Sequence, residues 1–311
     1  MRSLGLLLLI SFGATQLGLA QNGGIDLLTI SPSSYALSKA EATTSIPDGS
    51  GSIYSNPALL VYEDYSSLDL SYTLWVANIQ NIFGGINLHR ENSALAFSFY
   101  NSGADDYEQY NRPGPSNGNF SVQYLSLSTA YAYKLNNTSL GVSAHYLREE
   151  VYTYAANGYA FNVGIAAQMV KDRINLGLSL NNLGEMEALN TEPTTVPGLF
   201  KMGISGDVFT YTHPKNNTLP LTLAVSGDYV HRLGPEGNAS NEFDSDHFNF
   251  AVLLKVSDII ELSSGYRTGE TARPVSLGIS LLTGDISFNY SLLPFETGFG
   301  TAHSLGIQYK F

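Results

Sequence analysis

The side chains best able to ligate a metal or serve as a general base are six histidines: His89, His145, His213, His231, His247 and His303. No two stand at the spacing that would set a pair of imidazoles on one helix face. Asp48-Gly49-Ser50-Gly51-Ser52 begins like a calcium loop, but Leu59 stands where the bidentate Glu is required. With no Cys, the chain has no disulfide, thiolate zinc site or thiol nucleophile. Neither a G-x-S-x-G elbow nor a phosphate-cradling glycine motif occurs. One catalytic arrangement stays open, a serine activated by a histidine on the neighbouring strand of a sheet wall. His145 is the candidate, since it falls out of phase with Val142, Ala144 and Tyr146. The expectation is a protein without catalytic residue, cofactor or metal. Acidic residues outnumber basic ones 27 to 15, and no basic stripe is present to neutralise phosphates, so nucleic acid is excluded as a partner.

The elements available to position any of these residues are strands. Only 14% of the residues are charged, against 20 Tyr, 15 Phe and 30 Gly, so something other than water covers much of the surface. Residues 1–20 read as a secretory signal peptide: Arg2, an apolar run from Leu4 to Ile10, and Gly18-Leu19-Ala20 before Gln21. That run is far below the roughly 20 residues of a spanning helix, and no later stretch approaches that length. A membrane can then be crossed only by a closed barrel.

From Tyr65 onward the chain alternates apolar with small or polar residues in segments of about ten, the pattern of a transmembrane barrel. Leu68, Leu70, Tyr72 and Leu74 share one face, and Ser67, Asp69, Ser71 and Thr73 the other. Fourteen such segments are counted, which predicts a fourteen-stranded antiparallel transmembrane β-barrel over residues 64–311. Tight turns are expected at Lys134–Thr138, Lys171–Arg173, Ser257–Asp258 and Thr283–Asp285. Long outer loops are expected at Ser102–Gly118, Glu149–Gly158, Asn181–Pro197 and His231–Asp246. These loops would carry acids such as Asp105, Asp106, Glu108, Glu185, Glu187, Glu192, Glu236, Glu242, Asp244 and Asp246 toward the surrounding lipopolysaccharide. In the segment Ile174–Leu180, outward Leu178 should reject an arginine that inward Ser179 tolerates. The chain ends on Tyr309-Lys310-Phe311, which resembles the signal handed to the barrel insertion machinery of a Gram-negative outer membrane.

Residues 21–63 do not alternate, and fourteen strands enclose more room than their own side chains fill. The segment is therefore expected to be a lumenal plug. Within it, Asn56 is placed to cap a short helix and Pro57 suits the first helical position, with Ala58 following. Inward Asp69, Ser71, Thr222 and Asp228 are expected to partner the polar backbone of this segment.

Asp48 followed by Ser52-Ile53-Tyr54-Ser55-Asn56-Pro57-Ala58-Leu59-Leu60 resembles the N-terminal motif of the PorV/PorQ family of outer-membrane barrels, itself similar to FadL-type barrels. The likeness extends to Leu68–Leu88, Tyr159–Gly164, Leu176–Gly184 and Leu219–Leu223, while Leu59 replaces the usual Gly and Leu37–Ile46 lacks the usual Gly-rich pattern. The resemblance implies a fourteen-stranded outer-membrane barrel and a type IX secretion component that binds or delivers exported proteins at the cell surface. Its alternative is a FadL-like uptake channel for hydrophobic small molecules, and a third reading is a structural barrel without transport.

Overall fold

Successive side chains of a strand point to opposite sides, so a chain alternating Leu with Ser sorts itself into an apolar and a polar face. In the computed structural model this happens fourteen times over. The structure describes residues 26–108, 118–170, 173–189, 192–193, 196–211, 220–233, 246–257, 259–296, 298 and 300–311. The expected signal peptide, residues 1–20, lies outside them.

The wall is made by β1 (Ser67–Leu74), β2 (Gln80–Arg90), β3 (Ser93–Glu108), β4 (Asn119–Leu135), β5 (Thr138–Val151), β6 (Tyr154–Met169) and β7 (Ile174–Met186). It continues, after a two-residue pair β8 (Ala188–Leu189) and β9 (Glu192–Pro193), with β10 (Gly198–Tyr211), β11 (Leu221–Leu233), β12 (His247–Val256), β13 (Ile260–Arg267), β14 (Val275–Thr283), β15 (Ile286–Pro294) and β16 (Thr301–Lys310). Neighbours pair antiparallel, and β1 closes on β16 with Ser67 opposite Lys310 and Leu74 opposite His303, giving a closed barrel of fourteen strands. No helix among the described residues is long and apolar enough to cross a membrane. The outer face carries exposed large apolar side chains on every side, from Leu68, Leu70 and Tyr72 round to Leu305 and Ile307.

Two features depart from expectation. Glu149–Gly158 is a tight hairpin, because β5 and β6 run on to Val151 and Tyr154 around a turn in which Tyr152 takes φ +58°. Likewise Asp105, Asp106 and Glu108 belong to β3 and Glu185 to β7. The sheet continues beyond the apolar band with polar residues on both faces, so strands β3–β6 reach 14–17 residues where roughly 9–11 suffice to span a bilayer. Glu236, Glu242 and Asp244 lie outside the described residues. In β7, Asn181 and Asn182 together oppose the single Asn162 of β6, a bulge that turns both asparagines inward, with Asn182 at φ +60°.

Candidate functional site: the lumen and the segment within it

The inner face is built mainly of Ser, Ala, Gly and Asn, and such small residues leave space that the wall itself does not fill. Residues 26–63 lie against this face. Two short α-helices, α1 (Ser34–Leu37) and α2 (Ser52–Ser55), and two 3-10 turns, Asp26–Thr29 and Pro57–Val61, are joined by irregular backbone. Irregular backbone away from water must find partners for its N–H and C=O groups, and the wall supplies them. Ser139 Oγ donates to Ala58 O (2.7 Å), Ser179 Oγ to Ser55 O (3.0 Å), Ser226 Oγ to Ala42 O (2.8 Å) and Asn87 Nδ2 to Leu60 O (2.9 Å). Ser34 bridges the closure of the barrel: its N–H donates to Ser71 Oγ on β1 (3.2 Å) and its hydroxyl to Ser304 O on β16 (3.1 Å). Where the segment presses closest the wall has glycine. A Cβ on Gly177 would stand 1.9 Å from Thr44 O, and one on Gly141 2.3 Å from Ala58 N.

Asn56 is the pivot. Its Oδ1 accepts from Ala58 N (3.1 Å), capping the turn that Pro57 opens, while Nδ2 donates to Thr44 O (2.9 Å) and Ile165 O (3.2 Å). Gly164 makes room for it, since a Cβ there would meet Asn56 Oδ1 at 2.0 Å. Ala58 is fully buried beside Leu59 and Ala166.

Of the four wall residues expected to partner the segment, three reach it. Asp69 accepts from Ser50 N (2.8 Å), Ser67 Oγ (2.9 Å) and Gln308 Nε2 (2.9 Å); Ser71 accepts from Ser34 N; Asp228 accepts from Thr44 N (2.8 Å). Thr222 does not. It is the second residue of β11, and its hydroxyl meets Thr210 Oγ1 at 3.4 Å. Tyr309 and Phe311 are exposed on the outer face with their rings stacked 6.0 Å apart. Ser179, read as a free lumen position, is buried and bonded to the segment.

Most of the buried charge lies in one half of the lumen, with Glu149 of β5 an exception. Beside β1 and β12–β16 a cavity of about 230 Å³ is lined by Asp48, Glu63, Asp69, Glu261, Lys255 and Lys310. Burial, then repulsion from Asp69, lifts the Glu63 carboxyl to about 7. Burial also pushes Asp48 well above the carboxylate range, against the hydrogen bond from Ser33. Lys39 is fully buried, paired with Glu261 at 3.0 Å and set over the Tyr35 ring. Glu41 is bound by Arg267 and, at 3.5 Å, by Arg273; burial alone would raise its carboxyl, but the two guanidiniums hold it at about 2. Apart from Asp69, sequence reasoning missed the charges of this half of the lumen, because those of the wall come from separate strands and connections.

The opposite half, along β2–β7, is apolar: Leu27, Leu28, Ile53, Tyr54, Leu60 and Val61 of the segment pack on Phe83, Tyr100, Leu147, Met186 and a run of alanines. A polar network crosses it. His145 Nδ1 lies 2.7 Å from Ser128 Oγ, and Nε2 lies 2.9 Å from Ser143 Oγ and 3.0 Å from Asn162 Nδ2. Serine, histidine and asparagine thus meet on neighbouring strands, the arrangement left open above. Its polarity is wrong for activating Ser128. Asn162 Oδ1 accepts from Asn182 N (2.7 Å) and its Nδ2 donates to Ile53 O (2.9 Å), which fixes the amide. Nε2 of His145 must then accept, the proton sits on Nδ1, and the imidazole donates to Ser128 instead of taking its proton. Tyr54 completes the network, its hydroxyl 3.0 Å from Ser128 Oγ and its ring 5.2 Å from the imidazole.

No protein-family model matches the chain, and no curated protein matches it. Solved structures do. The CymD monoaromatic hydrocarbon channel is 12% identical with a TM-score of 0.58, over 89% of this chain and 96% of that one. The toluene transporter TodX of P. putida is 9% identical with a TM-score of 0.56, over 88% and 97%. A Pseudomonas aeruginosa FadL homologue is 12% identical with a TM-score of 0.50, over 90% and 98%. At such identity the likeness concerns architecture: the chain has the fold of FadL-type outer-membrane barrels.

Proposed function

We propose that the protein is a non-enzymatic channel for hydrophobic small molecules in a Gram-negative outer membrane, closed in this state by residues 26–63 acting as a plug. The observation that carries the reading is the apolar half of the lumen. A purely aqueous pore has no use for Phe83, Tyr100, Leu147 and Met186 facing inward together, whereas a path for apolar solutes needs such a surface. The fold shared with two hydrocarbon channels supports it. The tight turns face the periplasm, the long connections face outward, and Tyr309 and Phe311 serve barrel insertion.

Intact cells, whose lipopolysaccharide leaflet resists apolar solutes, should take up toluene faster with the protein than without it, and Leu147→Lys should abolish the gain. Equal rates with and without protein would end the channel reading. Deleting Gln21–Ser50 should raise ion conductance in planar bilayers; unchanged conductance would end the plug reading separately.

A secretion role is favoured only by the Asn56-Pro57-Ala58 motif and its flanks. Specific recovery of exported cargo on the detergent-solubilised protein would revive it.

A further inference from the structure

Ala40 and Glu41 are consecutive left-handed residues, at φ +48° and +63°, and neither is glycine. Such backbone is strained for an L residue and persists only where the surroundings over-determine it. Here they do. Ala40 N donates to Ser276 Oγ (2.8 Å), and Gly265 admits the chain so closely that a Cβ there would lie 2.3 Å from the Lys39 carbonyl carbon. The Glu41 carboxylate lies between Arg267 and Arg273, and each of these arginines retains only 9% of its exposure.

Arg273 is not part of the wall. It belongs to the connection between β13 and β14 and lies over Trp75 of the β1–β2 connection at 5.2 Å. Next to it, Ala272 O accepts from Glu296 N of the β15–β16 connection (2.9 Å). Glu41 therefore ties the strained part of the segment to three connections at the outer mouth. Glu270, 3.8 Å from Arg267 and 4.0 Å from Arg273, brings the cluster to two acids and two bases. Removing one carboxylate leaves a buried positive charge without its partner, a large penalty that the segment can escape by moving away.

We propose that Glu41, Arg267 and Arg273 form an autoinhibitory latch that holds the segment in its strained, lumen-filling conformation from the outer mouth. The inference rests on the plug reading above. It differs from the anchoring at Asn56, which has no strained residue and no charge.

The test is ion conductance of the full protein in planar bilayers bathed in potassium chloride, with protease access to residues 26–63 as a second readout. Glu41→Gln should raise mean conductance on the order of tenfold and expose the segment, while the barrel keeps its heat-modifiable migration. Adding Ala40→Gly should reverse part of that gain, because glycine adopts the left-handed region without strain and so favours the seated segment. Should Glu41→Gln fail to insert, Arg273→Gln removes the Glu41–Arg273 half of the latch from a connection outside the wall and must also raise conductance. Wild-type conductance and protection in the inserted variant overturn the latch. If the Gln21–Ser50 deletion still conducts more than the full protein, the plug reading survives that result.

Discussion

Asn56 makes three hydrogen bonds with one side chain, and Thr44 O depends on one of them. Asn56→Ala should therefore cost more than a lost helix cap: about 1 kcal/mol for the cap plus about 1–3 kcal/mol for a buried carbonyl left without its donor. Hydrogen exchange of residues 52–61 would show the loss, with the barrel unaffected. The carboxyls of the segment also set a pH window. Glu41 is depressed to about 2, so its contribution is present above about 4.5 and is lost as pH falls toward 2. Glu63 is raised to about 7, so the seated segment binds a proton the freed one does not, and it weakens as pH rises from about 4.5 through 7. Protease protection of the segment should be greatest near pH 4.5–5 and decline on either side. Protection that climbs steadily from pH 5 to pH 8 would contradict the Glu63 assignment.

At the scale of the strand, each carries two unrelated demands on alternate residues. Leu178 and Ser179 are adjacent in β7, one exposed on the outer face and one buried against Ser55. Leu178→Arg should cost about 2–4 kcal/mol of barrel stability if the residue lies near the bilayer midplane. Ser179→Arg should spare the barrel and expel the segment, so folding yield and protease access separate the two faces. Gly141→Ala makes the same point with one methyl group, because the obstructing atoms at 2.3 Å are backbone of Pro57 and Ala58 and cannot swing aside. It should expose residues 26–63 to protease while the strands stay paired. The fourteen strands were legible from the period of two, which sets an apolar face against a polar one along most of each strand and slips only at bulges such as that of β7. Their outer ends were not, because beyond the apolar band β5 and β6 stay paired through residues such as Glu149 and Asn157 that read as loop. Asn56 was legible because Asn-Pro has a mechanism of its own. Its partners were not: serines and glycines on many strands carry no signal until the barrel closes and aims them at one point.

For the whole molecule, the pairing that joins the first strand to the last spans the longest stretch of sequence of any strand pairing in the wall, and closing so long a loop is entropically the most demanding of those pairings. Ser34 touches both sides of it. The segment that contains Ser34 precedes every strand in the chain, yet the finished wall surrounds it. It can thus be threaded through an open sheet that then zips shut around it, or slide in along the axis afterwards. In the first case the slowest phase of refolding in detergent should bring seam pairing and segment protection together, and Ser34→Ala should speed unfolding of both. In that case an order of assembly is written into the fold, with the segment ahead of the strands serving as the template on which the last edge finds its partner.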